Sequence, residues 1–117
     1  PQSRLTLSNN AHWAIVGALQ HLSSRYLVLG GGGYNPWSVG RLWSGVWATL
    51  NEQEIPETLP DDGQAVLKAL TWDGPQRRVD PKPHWISTLR DDPRDGEIHQ
   101  NVRDGIKSLM GRNSVWV

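Results

Sequence analysis

The 117-residue chain has no cysteine and no phenylalanine, and neither sign of charge is in surplus. Without cysteine, neither a disulfide framework nor a thiolate metal site can form. Twelve Lys and Arg balance twelve Asp and Glu, so no bulk field draws the chain to nucleic acid or to an anionic membrane surface. No apolar run approaches the roughly 20 residues of a membrane-spanning helix, and no signal peptide opens the sequence. No nucleic-acid or membrane partner is therefore expected, and a cytoplasmic location is the expectation. Internal repeats and low-complexity tracts are missing as well. Apolar residues make up only 37%, below the usual share of a globular domain. The length suffices for one domain and is marginal for two.

Tryptophan is what the chain has in quantity, seven against two tyrosines. Side chains that large need burial or a partner surface. Core and contact packing is the plain reading; an exposed aromatic platform is the alternative.

Local patterns predict a mostly helical chain. Ser8 is a favoured N-cap, and Ala11, Ile15, Ala18, Leu19 and Leu22 recur at helical spacing after it. Tyr26-Leu27-Val28-Leu29 is a short continuous apolar run, the signature of a strand buried on both faces. The glycines Gly30 to Gly33 end it. Asn35 and Pro36 then open a second helix, as cap and first helical residue. Its wide apolar stripe runs through Val39, Leu42, Trp43, Val46, Trp47 and Leu50, and Gly40 and Gly45 are expected to admit a close neighbour. From Asn51 the chain loosens into a proline-punctuated connector, Ile55 to Pro60. Asp61 or Asp62 is predicted to cap a short helix ending near Leu70. Four prolines between Trp72 and Arg94 mark a surface excursion or arm. Asp95 is predicted to cap a last helix lined by Ile98, Val102, Ile106 and Leu109.

Helix, strand, glycine turn, helix is one αβα slice of a doubly wound α/β sheet. A buried strand needs neighbours to pair its N–H and C=O groups, and only one convincing strand is present. The rest of the sheet is expected in other sequence or in another copy of the chain.

The glycine run is the chemically pointed feature, because ligands of open α/β sheets sit beyond the carboxyl ends of strands. It fits neither the P-loop nor the dinucleotide fingerprint, and Pro36 removes a donor that a phosphate site would use. Leu27-Val28-Leu29-Gly30-Gly31-Gly32-Gly33-Tyr34-Asn35, with Val39, Arg41 and Trp43 following, resembles the histone deacetylase signature LxLGGGGYxxxxVxRxW. Pro1 to Ser8 resembles the family's DPLxxLNLS segment, entered after its aspartate. Glu54 to Pro60 resembles the xIPxxLP that follows the tryptophan helix. The proline-rich stretch and Trp85 fit the bacterial acetoin-utilization branch.

The resemblance implies the C-terminal portion of an arginase-like deacetylase fold. Residues 1–117 form one fragment, with residues 1–60 as the strand, glycine loop and helix, and residues 61–117 as the irregular proline-rich segment and terminal helices. It implies a zinc-dependent amide hydrolase acting on acetyl-lysine or related acetyl-amines. Tyr34 matches the tyrosine that donates its hydroxyl to the acetyl carbonyl oxygen, where charge builds in the tetrahedral intermediate. A phenol, with an ordinary pKa of about 10, is a donor at neutral pH. Gly32 and Gly33 match the tunnel wall that admits the lysine methylenes. Gln2 stands at the tunnel rim, where the family usually has Leu or Met. Trp37 replaces an arginine that holds inositol phosphate in some eukaryotic members, which argues against that regulation.

The family's zinc ligands, two Asp and one His, and its His general base lie upstream of the tyrosine. The nearest falls before Pro1. The resemblance therefore assigns zinc to a longer parent and none to this chain, which is expected to be inactive alone. The expected partners are the remainder of the deacetylase domain and the acetylated substrate, with self-association through uncovered apolar faces. The competing reading is a non-enzymatic interaction module with a Trp-rich surface. His12, His21, His84 and His99 are scattered without metal-ligand spacing, and each reads as an ordinary side chain. Asp61-Asp62 and Asp91-Asp92 read as capping or loop residues, and Arg41 as a structural partner for a carboxylate or carbonyl.

Overall fold

A computed structural model describes residues 7–31, 35–72, 81–93 and 96–113, without the side chains of 112 and 113. The order is α1 (Asn9–Leu19), α2 (Pro36–Leu50), α3 (Asp61–Ala69), α4 (His84–Ser87) and α5 (Gln100–Asn113). No strand occurs among the described residues.

Two of the predicted caps form, at Ser8 and Asn35. The Ser8 hydroxyl accepts from Ala11 N at 3.2 Å, and the Asn35 side chain accepts from Ser38 N at 3.0 Å. Each satisfies a donor that the first helical turn leaves without an internal partner. Pro36 occupies the first turn of α2, where its missing N–H costs nothing. α1 stops at Leu19 rather than Leu22. The Asp61/Asp62 cap is corrected: Pro60 is the cap residue, and no side chain closes it. The two aspartates lie in the first turn of α3 instead, where the helix dipole favours negative charge. The predicted Asp95 cap lies outside the described residues.

The core is small and lies between α1 and α2. It consists of Trp13, Trp37, Val46 and Ala48, with Asn9 and Arg41 buried beside them. α1 buries Asn9 and Trp13, one turn apart, while the predicted stripe residues Ile15 and Leu19 are exposed. The reason is shape. Gly45 presents bare backbone to Trp13, so closely that a Cβ there would overlap the indole. The indole N–H donates to Leu42 O at 3.0 Å, and no aliphatic residue of α1 supplies both the area and the donor. Gly40, by contrast, faces open space, so only one of the two glycines admits a neighbour.

Residues 26–29 form no regular element before the glycines, and Tyr26, Leu27, Val28 and Leu29 are exposed. The expected buried strand is therefore corrected: among the described residues nothing pairs with this run or covers it, so its backbone takes no ladder and its apolar side chains stay exposed. The accessible surface, 9625 Å², well exceeds the roughly 6,400 Å² of a compact monomer of this mass. Much of the excess is apolar, including Ile98, Val102, Ile106, Leu109 and Met110 on and before α5.

Trp37 Nε1 donates to Leu67 O at 2.9 Å and ties α3 to α2. The connector 55–60 is pinned by Leu59 N to Ser87 O at 2.8 Å and by Arg90 Nη2 to Ile55 O at 2.8 Å. Of the six described tryptophans, only Trp47 is exposed, so their main work is packing.

Candidate functional site

The glycine loop is framed by α2 at both ends. On the entry side Gly30 packs on the Trp43 indole, with a Cβ position 3.4 Å from Trp43 Cζ2. On the exit side Asn35 caps α2 through Ser38 N. Trp43 and Ser38 both belong to α2, so Gly30 and Asn35 each bear on that helix. Gly31 has nothing within 4 Å of its Cβ position and is open to an approaching ligand or chain. The residues named for chemistry, Gly32, Gly33 and Tyr34, and the rim residue Gln2, lie outside the described residues.

α2 is itself fixed by one buried cation. Arg41 is only 2% exposed. Its Nε donates to Thr88 O at 2.8 Å, and its Nη2 donates to Leu89 O at 3.2 Å, Arg90 O at 2.7 Å and Asp91 Oδ1 at 2.9 Å. A guanidinium can take such a set because its donors are planar and forked. Residues 88–91 thus form a strap across α2. The same strap holds the start of α1: Asp91 Oδ2 accepts from Asn9 N at 2.7 Å, Leu89 O accepts from Asn9 Nδ2 at 3.0 Å, and Asp91 O accepts from Asn10 Nδ2 at 2.7 Å. Arg41 reads correctly from sequence as a structural partner, and it meets carbonyls and a carboxylate together.

Asp91 is more than a loop residue. Burial pushes its carboxyl pKa upward, but the Asn9 N–H, the Arg41 hydrogen bond and the charges of Arg41 and His84 outweigh that, leaving it below the ordinary 3.8. Sequence reasoning missed Asp91, Asn9 and Asn10 as a unit. Asn9 and Asp91 lie 82 positions apart, and no local pattern signals such a pair. Trp85 completes the surroundings, with the Arg41 guanidinium carbon and the Lys82 ammonium each 5.8 Å from its ring centroid.

The histidines do not converge. His84 is half-buried, edge-on to Trp85 and 4.0 Å from Asp91 Oδ1. His21 pairs with its neighbour Gln20 at 3.2 Å. Among the described residues, no three His, Cys, Asp or Glu side chains group to hold a metal ion. These residues alone do not fit a zinc centre. Asp62 Oδ1 accepts from Gly63 N at 2.8 Å, a local turn contact. No helix of the described residues is long and apolar enough to cross a membrane.

No family profile matches the chain, and no curated protein does. Two solved structures do. One is a crystal structure of an HDAC homologue from Aquifex aeolicus, 30% identical over 91% of this chain, with a TM-score of 0.72. The other is a crystal structure of an HDAC homologue complexed with SAHA, 30% identical over 88% of this chain, with a TM-score of 0.70. The fold is similar to part of a histone deacetylase homologue, and the likeness supports that superfamily. The chain spans just over a quarter of those structures, 27% and 28% of their lengths.

Proposed function

We propose that this chain is the C-terminal part of a zinc-dependent deacetylase domain, with Tyr34 as its oxyanion-stabilising donor. The observation that carries the proposal is the frame around the glycines: Gly30 seated on Trp43 at one end, and α2 capped by Asn35 at the other. It stands in a fold similar to HDAC homologues at 30% identity.

In this reading the substrate is an acetyl-lysine or related acetyl-amine amide. The Tyr34 hydroxyl donates to the acetyl oxygen and holds the charge that develops there. Gly32 and Gly33 leave room for the alkyl chain, and Gln2 lies at the rim. When bound in the parent protein, zinc supplies Lewis-acid activation of water. Its ligands and the general base are placed in the remainder of that domain, which is the first partner of this chain. The acetoin-utilization branch and a cytoplasmic location belong to the same proposal.

The test is made in the full-length protein that contains this chain. Tyr34→Phe removes only the hydroxyl and should lower kcat on an acetyl-lysine peptide by about 100-fold or more, as loss of one oxyanion donor does. Full turnover by that variant would overturn the proposal. The 117-residue chain alone is expected to carry no stoichiometric zinc by elemental analysis and to show no turnover.

A second reading is favoured by the exposed stripe of Val102, Ile106 and Leu109 on α5. The chain would then be a self-associating module rather than part of a hydrolase. A stable dimer in light scattering, with no loss of function in Tyr34→Phe, would select it.

A further inference from the structure

We propose that two copies of this chain pair by laying the exposed stripe of α5 in one copy on the outer face of α3 in the other. The inference deepens the self-association reading of α5 and does not rest on Tyr34. Every residue from 96 to 111 is exposed, so α5 gains little cover from its own copy. A lone helix of 14 residues is marginal in water and calls for an apolar partner. Val102, Ile106 and Leu109 follow at the spacing of one face. Arg103 and Lys107 border that face, with Arg103 Nε turned back to Ile98 O at 3.3 Å.

Apolar surface is also exposed on α1, at residues 26–29 and at Trp47 of α2, but none of these segments carries a carboxylate to answer the basic border. α3 does. Asp62, Ala65, Val66 and Ala69 repeat at the spacing of one helix face, and all four are exposed. The inner side of α3 is already engaged, with Leu67 O accepting from Trp37 Nε1 and Gln64 Nε2 donating to Leu59 O. The two alanines leave a shallow surface into which the larger Ile106 and Leu109 can pack. Laid antiparallel with Ala65 against Ile106, Asp62 comes within about one turn of Lys107, and opposite ends of the two helix dipoles meet. A two-fold axis repeats the contact, α3 on α5 and α5 on α3. A stable interface asks about 600–1,000 Å² of each copy. The surface of this chain exceeds that of a compact monomer by about 3,200 Å².

Sedimentation equilibrium of the 117-residue chain tests this with no turnover assay. The wild-type chain should dimerise. Asp62→Lys or Lys107→Asp alone should weaken the dimer about 10-fold, because each change acts at both symmetric contacts. An equimolar mixture of the two variants should return to within about 2-fold of wild type, because each altered charge then faces its opposite in the other copy. A contact within one copy gives no such rescue.

A chain that stays monomeric up to about 1 mM would overturn the inference and leave α5 to be covered by the remainder of the domain. A dimer that neither single change weakens, or a mixture as weak as its parts, would overturn it while leaving self-association through another face. Asp62→Lys puts a cation at the start of α3; should circular dichroism show lost helix, Ala65→Lys on the same face replaces it. The Tyr34 reading is decided separately, by kcat.

Discussion

Two glycines on one helix should respond to alanine with opposite signs. In a helix interior Ala is favoured over Gly by about 1 kcal/mol. Gly40 has nothing within 4 Å of its Cβ position, so Gly40→Ala should realise most of that gain. Gly45 is different, because its Cβ would fall inside the Trp13 indole, against Cε2, Cζ2 and Nε1. The tryptophan must then move or α1 must lift from α2. Overpacking of this kind costs about 1–3 kcal/mol. Displacing the indole also loses its bond to Leu42 O and leaves a buried donor without a partner, about 1–3 kcal/mol more. Set against the propensity gain, Gly45→Ala should destabilise by about 1–5 kcal/mol.

Thermal melts followed by far-UV circular dichroism separate the two cases. At about 4 °C per kcal/mol for a chain of this size, Gly45→Ala should lower Tm by about 4–20 °C. Gly40→Ala should raise it by about 2–4 °C on the same scale. In a Trp13→Leu background the obstruction is gone, and Gly45→Ala should become stabilising relative to that background. The account of the α1–α2 contact is refuted if Gly45→Ala melts at or above wild type, or if the two alanine variants shift together.

The carboxyl of Asp91 is lower in pKa folded than unfolded, so its stabilisation is complete above about pH 4 and is lost as pH falls through the folded value. Urea melts should show Asp91→Asn less stable than wild type at about pH 6, the two converging as pH falls below the ordinary carboxyl range; a gap that stays constant with pH would count against the ion pair. Ile106 and Leu109 are exposed on α5, so replacing both with Lys should leave the melting temperature of the 117-residue chain within about 2 °C. The same change should reduce any concentration-dependent self-association in light scattering; unchanged association would place the contact elsewhere.

The starts of α1 and α2 were legible because caps are local chemistry. Ser8 and Asn35 accept from N–H groups three residues on, and the signal and its partner lie in one short window. The flanks of the glycine loop were legible for the same reason. The buried face of α1 was not. Periodicity points to Ile15 and Leu19, but the contact is decided by the fit of Trp13 onto Gly45 in another helix. The strap was still less legible, since Asp91 reads as one acid in a polar loop until Asn9 and Arg41 are brought to it. The run 26–29 shows the limit of pattern reading. Its apolar residues pointed to a buried strand, but strand pairing and burial both depend on other segments, and neither is present among the described residues.

That run also bears on how the proposed site would be completed. In an extended segment Leu27 and Leu29 share one face, with Tyr26 and Val28 on the other. Leu27 is 82% exposed and Leu29 76%. Covering either leucine fully would stabilise by about 1.5–3 kcal/mol, and pairing the backbone would add directional hydrogen bonds. The segment leads without a break into Gly30, which rests on Trp43 of α2. Strands docking beside residues 26–29 would cover these side chains and press Gly30 against the Trp43 indole, so the burial that the apolar run calls for would come from the remainder of the domain rather than from this chain.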